Sequence, residues 1–204
     1  MTRLLARWRV FLGFVFAAVV MWLASPSRNS LLAGATIAMS GECIRLWAAG
    51  HLEKSKEVTR SGPYRYTRHP LYLGSSIIGV GIAIGSHHPI VAAIVVAYMA
   101  LTLTAAMRSE EAHLREKFGD VYDAYAEKRA TPMDRPFRWS RAIGNREHHT
   151  MIGLATGLAA LAGLRLSSPQ SQRRATSGST RRARLAGHSA ARPTATRNRT
   201  IALM

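Results

Sequence analysis

A single cysteine, Cys43, stands among the 204 residues, inside an apolar block. One thiol excludes an intrachain disulfide and supplies no cluster for a metal, so Cys43 reads as a small packed residue. Acidic side chains are also scarce, 11 Asp+Glu against 28 Lys+Arg, for a net charge of +17. That balance points to nucleic acid or an anionic membrane face as a partner. No glycine-rich soluble nucleotide fold accompanies the polar clusters, so no Rossmann-type domain is implied. Large apolar residues all but vanish after Leu166, where the chain becomes Ser, Thr, Arg, Ala and Gly. Such a segment cannot bury enough surface to fold alone, and 167–204 is expected to be a disordered basic tail. No aromatics interleave its arginines, which argues against specific nucleic-acid binding and for attraction to anionic lipid. The tail ends in "IALM", without a CaaX cysteine, so the chain is not expected to be prenylated itself.

What the sequence has is apolar residues, 48% of the chain, gathered in blocks. The first runs from about Trp8 to Ala24, after Arg3, Arg7 and Arg9. A signal peptide begins in the same way, but "SPSRNS" lacks a clean small-x-small cleavage pattern, and the block reads as a retained membrane helix. The second, Leu31 to Gly50, carries Glu42 and Arg45 one helical turn apart, able to pair on one face. The third, Leu71 to Gly85, is glycine-rich and barely long enough to span; the fourth, Ile90 to Met107, has almost no polar side chains. A fifth, Met151 to Leu166, is short and rich in Ala and Gly.

The expected fold is therefore all-α: an integral-membrane bundle of four to five transmembrane helices over 1–166, followed by the tail. Lys and Arg crowd the N-terminal arm, the segment 51–69 and the segment 108–150, whereas "SPSRNS" and "GSHHP" carry little charge. The positive-inside rule then puts the N-terminus and the basic segments in the cytoplasm, with blocks one to four forming two hairpins. A fifth span would carry the Arg-rich tail across the membrane, so block five is either a span with a translocated tail or a re-entrant or interfacial helix.

Two polar clusters flank blocks three and four. "GPYRYTRHPLYLG" (62–74) places Arg65, Arg68 and His69 before Pro70, which fits the first turn of a helix, where N–H groups are free to meet a carboxylate or phosphate. Tyr64, Tyr66 and Tyr72 offer flat faces for a purine or lipid tail, and Gly74 permits close approach by a ligand or a helix. Tyr and Arg also belong at headgroup level in any membrane protein, so a plain interfacial anchor explains the stretch equally well. "RSEEAHLREKFGDVYDAYAEKR" (108–129) repeats Leu114, Phe118, Tyr122 and Tyr125 at helical spacing, an amphipathic surface helix with Glu116 and Asp123 on its solvated face. Glu110 and Glu111 sit at the exit of block four. Two adjacent carboxylates there favour a nearby cation. A hairpin of blocks three and four brings both clusters to one membrane face. S-Adenosylmethionine, with its carboxylate, ammonium, sulfonium, ribose and adenine, fits that inventory; NADPH or a lipid headgroup also needs cations and aromatics.

"GPYRYTRHPLYLG" followed, after an apolar hairpin, by "EEAHLREKFGDVYDAYAEKR" resembles the isoprenylcysteine carboxyl methyltransferase family, which belongs with phospholipid methyltransferases among integral-membrane methyltransferases. The resemblance covers roughly Gly41 to Pro136, with "GECIRLWAAGHLEK" similar to bacterial members. It implies S-adenosylmethionine as cofactor, held by Val58, Thr59, Tyr64, His69, Pro70, Leu71, Tyr72 and Glu110, with Glu111 beside Glu110 and Arg108 as the substrate-facing arginine. Arg108 and Glu111 are the catalytic candidates; Arg108 stands at a different offset from the EE pair than in eukaryotic members. The implied acceptor is a lipophilic molecule, an isoprenylcysteine-like carboxylate or another lipid, at a bacterial inner membrane. A carboxylate needs only desolvation and alignment; an amine would have to lose a proton, and the sequence shows no dedicated base. The sterol-type membrane reductases share an RHP loop but read RHPNYxGE, where this chain has Leu71 and Ser75. An NADPH-dependent reductase and a non-catalytic membrane anchor are the rival readings.

Overall fold

The computed structural model describes residues 15–167. The N-terminal arm and the basic tail expected to be disordered lie outside them. The chain divides into two compact units at Arg165 and Leu166, and the architecture below is that of the first. Among the described residues the secondary structure is helical, with no strand.

Helix α1 is described over 15–23, and α2 spans Arg28–His51. "SPSRNS" starts α2 for a local reason. The Ser27 hydroxyl accepts from the Ser30 amide while the Ser30 hydroxyl accepts from the Ser27 amide, a reciprocal cap that satisfies otherwise unpaired donors. After α2 a loop containing a short 3₁₀ turn, Gly62–Arg65, leads to α3, Pro70–Ser86, with Pro70 in its first turn. His87 ends α3 in the left-handed region, and α4 starts at Pro89.

Helix α4 runs unbroken to Phe118, eleven residues beyond the expected end of its apolar block, so the carboxylates Glu110 and Glu111 ride on the same rigid rod as the apolar segment. It stops at Gly119, whose positive φ suits a residue without Cβ. The expected single amphipathic helix over 108–129 is thus broken into the end of α4 and a short α5, Asp120–Ala126. Helix α6, Trp139–Gly144, and α7, Glu147–Ser167, complete the chain, α7 beginning one turn before the apolar residues of block five.

Among the described residues two helices, α4 and α7, are long and apolar enough to cross a membrane. That is fewer than the expected four to five. Helix α3 is apolar but has 17 residues, about 25 Å at 1.5 Å per residue. Helix α2 is diluted by Arg28, Ser30, Glu42, Arg45 and its serines and glycines. The apolar window of α4 is little buried within the fold, and Val96, Leu101 and Ile90 are exposed on its outer side.

Small residues bring α2 and α3 together. A Cβ on Gly34 would lie 2.4 Å from the Gly81 carbonyl oxygen, and one on Gly41 2.6 Å from that of Gly74. Backbone meets backbone along this seam, so Gly74 serves helix approach. Cys43, expected to be packed, is exposed, because the seam is built from the glycine and alanine face of α2 instead. Val20, Ala83, Val91 and Val95 form an apolar core joining α1, α3 and α4. The Phe16 ring stacks on Tyr98 with centroids 4.7 Å apart. At one end the two weakly charged connectors meet, the Ser25 amide donating to the Ser86 carbonyl at 2.9 Å. The charged loops gather at the other.

Candidate active site

Three arginines fold the loop after α2 against the segment after α5. Arg135 Nη2 donates to Glu57 Oε2 at 2.7 Å, Arg141 Nε donates to Glu53 Oε1 at 2.8 Å, and Arg65 Nη2 donates to the Met133 carbonyl at 2.7 Å. Asn145 Nδ2 donates to the carbonyls of Ala49 and Leu52, closing the end of α2. Arg65, read from the sequence as an anion-binding group, is taken up by this strapping, with Asp134 as a second partner. Gly62 has φ +55° and a Cβ there would strike the buried His51 ring at 2.5 Å, so the 3₁₀ turn can form only with glycine at that position.

The turn carries Tyr64 inward. Its carbonyl accepts from the Tyr125 hydroxyl at 2.9 Å, tying loop to α5. Burial, with the Glu110 charge second, drives the Tyr64 phenol far above its ordinary range, and burial pushes Tyr125 up to about 12. Both rings therefore stay neutral at physiological pH.

A cavity of about 670 Å³ lies between loop, helix ends and α5. Val58, Thr59 and Tyr64 line it from the loop, Leu71 and Tyr72 from α3, Glu110 and His113 from α4, and Tyr122 and Tyr125 from α5. Six of the residues expected from the sequence thus converge: Val58, Thr59, Tyr64, Leu71, Tyr72 and Glu110. Pro70 is fully buried in the first turn of α3 and does not line the cavity. Arg108 is exposed on α4 and lines neither this cavity nor the groove described below.

His69 and Glu111 form a second group. Their hydrogen bond, His69 Nε2 to Glu111 Oε1 at 2.8 Å, joins the α3 and α4 ends of the hairpin, and Arg68 Nη1 approaches the same oxygen at 3.3 Å. His69 faces a different space, a groove of about 480 Å³ between α3 and α4 whose walls are Leu73, Gly79, Val80, Val95, Met99 and Leu103. Tyr72 lines both this apolar groove and the polar cavity.

The floor of the cavity was not legible in the sequence. Arg45 Nε and Nη2 donate to Glu147 Oε1 and Oε2 at 2.7 and 3.1 Å, while Nη1 donates to the Ser75 hydroxyl and the Leu71 carbonyl, and Nη2 to Thr150. One guanidinium so locks α2, α3 and α7. Glu42, the expected partner one turn away, stands at 3.8 Å from Nε without a hydrogen bond. Glu147 lies 102 residues from Arg45, so no local spacing points to it. Asp123, expected on a solvated face, pairs with Arg115 at 2.9 Å; Glu116 is exposed.

Tyr122, a lining residue of the cavity, is almost fully buried, and its hydroxyl has no hydrogen-bond partner among the described residues. An unpaired buried polar group destabilises by about 1–3 kcal/mol. Tyr122→Phe should therefore leave the ligand-free protein at least as stable, by about 1 kcal/mol, in thermal denaturation of detergent-purified protein. A clear loss of stability would mean the hydroxyl has a protein partner.

A helical protein with an apolar flank and a polar, small-molecule-sized cavity at one end is the class that fold and site define. The phospholipid methyltransferase family model matches residues 8–121, and the chain belongs to that family. Two curated relatives are similar. The nickel-cobalt-cadmium resistance protein NccN of Alcaligenes xylosoxydans xylosoxydans is 33% identical over 135 residues, covering 61% of each chain. The cobalt-zinc-cadmium resistance protein CzcN of Cupriavidus metallidurans is 29% identical over 135 residues, covering 61% of this chain and 60% of that one. The chain spans about three fifths of the length of these relatives. No solved structure matches.

Proposed function

We propose that the chain is an S-adenosylmethionine-dependent methyltransferase of the bacterial inner membrane, with its polar cavity on the cytoplasmic side, acting on a lipophilic acceptor. The observation that carries this reading is the meeting of a polar cavity and an apolar groove at Tyr72. Membership of the phospholipid methyltransferase family supports the reaction class. In this reading α1 to α4 and α7 are the membrane helices. The exposed Lys56 and Arg108, with the basic tail, meet anionic lipid.

The residues present fit the cofactor. About 670 Å³ falls within the range of small-molecule sites. Glu110 and Glu147 would take the ammonium or ribose hydroxyls, Arg68 and Lys54 the carboxylate, and the rings of Tyr64, Tyr122 and Tyr125 the adenine or sulfonium. When bound, the cofactor supplies an electrophilic methyl group. The protein's part is to seat the acceptor chain along the groove of α3 and α4, exclude water, and present the acceptor's polar end at Tyr72. The acceptor is an isoprenylcysteine-like carboxylate or another lipid. Metal resistance, in the names of the two relatives, is the setting in which such an enzyme would modify the membrane; among the described residues no three His, Cys, Asp or Glu side chains converge on a metal-sized site.

Glu110→Gln should weaken binding of labelled S-adenosylmethionine roughly ten- to a hundredfold, as a lost charge-assisted hydrogen bond of about 1.5–3 kcal/mol requires. Titration of the full chain in detergent measures it, with NADPH as competitor. Unchanged affinity in Glu110→Gln would remove Glu110 from the site, and displacement by NADPH would favour the reductase reading.

A further inference from the structure

We propose that the outer face of α6 is a bilayer-docking surface: Trp139 and Ile143 sit in the headgroup layer on the cavity side, and the inner face of the same helix fixes one wall of the cavity to that level. The inference rests on the membrane part of the reading above and not on the reaction.

Helix α6 has its polarity reversed. Trp139 and Ile143, four residues apart and so on one side of the helix, are 62% and 61% exposed. The side toward the protein carries the buried Ala142 and Arg141. Arg141 Nε donates to Glu53 Oε1 at 2.8 Å, and Nη1 donates to the carbonyls of Gly50 and Pro136 at 3.1 and 2.9 Å. A cation thus faces inward while the two largest apolar side chains of the helix face outward. Water opposes that arrangement, and a lipid layer favours it.

Continuity with the membrane helices identifies the lipid as the occupant. Trp47 near the end of α2, His51, Phe137 and Trp139 form a series of neighbouring rings, with successive centroids 6.5, 6.2 and 5.1 Å apart. Trp47 is itself exposed, and so are Met151 and Ile152 near the start of α7. Helix α7 is apolar enough to cross a membrane, and its apolar window is little buried in the fold. Exposed apolar side chains therefore pass from α2 and α7 onto the short helix between them. Arg138 and Arg146, exposed on either side of α6, have the sign that anionic headgroups attract. A tryptophan flanked by arginines at the end of membrane helices suits headgroup depth. The consequence falls on the cavity. Glu53, held by Arg141, opens the stretch that gives Lys54, Ser55, Glu57, Val58 and Thr59 to its lining. A bilayer that holds α6 holds that wall.

The test places the full chain in phosphatidylglycerol nanodiscs whose acyl chains carry bromine either near the glycerol or near the methyl end. With Trp8, Trp22 and Trp47 changed to Phe, Trp139 is the one indole left. Its fluorescence should be quenched by the shallow bromines and little by the deep ones. Without those three changes, Trp139→Phe should remove a shallow-quenched part of the emission, which serves if the single-tryptophan protein does not fold. In the same nanodiscs, Trp139→Ser with Ile143→Ser should lower hydrogen-exchange protection of the amides of 53–59 about tenfold, while Trp139→Phe with Ile143→Leu should retain it. A Trp139 that no bromine quenches overturns the inference, whether its emission is that of an indole in water or of one covered by a second copy of the chain. Unchanged protection in the double serine variant overturns it as well. Leu101→Trp, on the exposed side of α4 and with the four native tryptophans changed to Phe, reports the membrane reading separately. Deep quenching there without quenching of Trp139 overturns this inference alone, and quenching at neither position overturns the membrane reading with it.

Discussion

Glu147→Ala should destabilise the protein by about 3 kcal/mol, the lower end of what removing one partner of a buried ion pair does. Glu147 is buried and holds Arg45 through two hydrogen bonds, whereas Arg45 keeps Ser75, Thr150 and the Leu71 carbonyl after the change. Those remaining acceptors are neutral, so the guanidinium charge in the interior is left with Glu42, 3.8 Å away, as its nearest carboxylate. Glu42 has no hydrogen bond to either oxygen and can move toward Arg45, which is why the lower end applies. Changing Arg45→Met and Glu147→Leu together should recover only part of the loss, since Glu42 would then be buried without a cation; adding Glu42→Gln should recover more. Denaturation midpoints of the purified variants in one detergent measure the series. A loss under about 1 kcal/mol for Glu147→Ala would show the pair to be an ordinary surface bridge.

Gly81→Leu should have a larger effect still and prevent α2 and α3 from packing. A Cβ at this position would sit 2.5 Å from the Gly34 carbonyl oxygen and 2.6 Å from the Ala38 amide nitrogen. Those are backbone atoms of a continuous helix, so no side-chain rotation relieves the clash. The strain should exceed the roughly 1–3 kcal/mol of ordinary overpacking. Because α3 also carries Leu71 and Tyr72, displacing it should remove ligand binding together with stability. The control is Gly157→Leu on α7, where nothing lies within 4 Å of a new Cβ and little should change. Monodispersity after size-exclusion chromatography and the thermal midpoint report both. A well-folded Gly81→Leu protein would contradict the close seam.

The helices were legible because apolar blocks and their stops are local. Ser27 and Ser30 cap α2 through residues three apart, Pro70 and Pro89 sit in first turns, and Gly119 ends α4, each within one turn of chain. The reading that two polar clusters share one end of a hairpin was also accessible. A hairpin of the apolar blocks either side of "GSHHP" brings both clusters to one end, and the His69–Glu111 hydrogen bond is its outcome. The break of the 108–129 pattern was less visible. Its stripe stays in register across Gly119, and only the backbone at that glycine turns α5 over the cavity, so that Tyr122 is buried there instead of lying on a surface.

The sequence by itself determined the all-helical class, the family, and the six residues Val58, Thr59, Tyr64, Leu71, Tyr72 and Glu110 that line one cavity. Tyr64, Tyr72 and Glu110 stand in motifs whose residue types state their chemistry, whereas Val58, Thr59 and Leu71 follow from the resemblance to the family. Only the tertiary structure decided that Arg45 bonds Glu147 rather than Glu42, that His69 faces an apolar groove instead of the polar cavity, and that Arg108 stands outside both. Each of those depends on the rotation of a helix about its own axis and on partners up to 102 residues away. Helix rotation here follows from where glycines let α2 and α3 approach, a contact between distant backbones that no periodicity within either helix encodes.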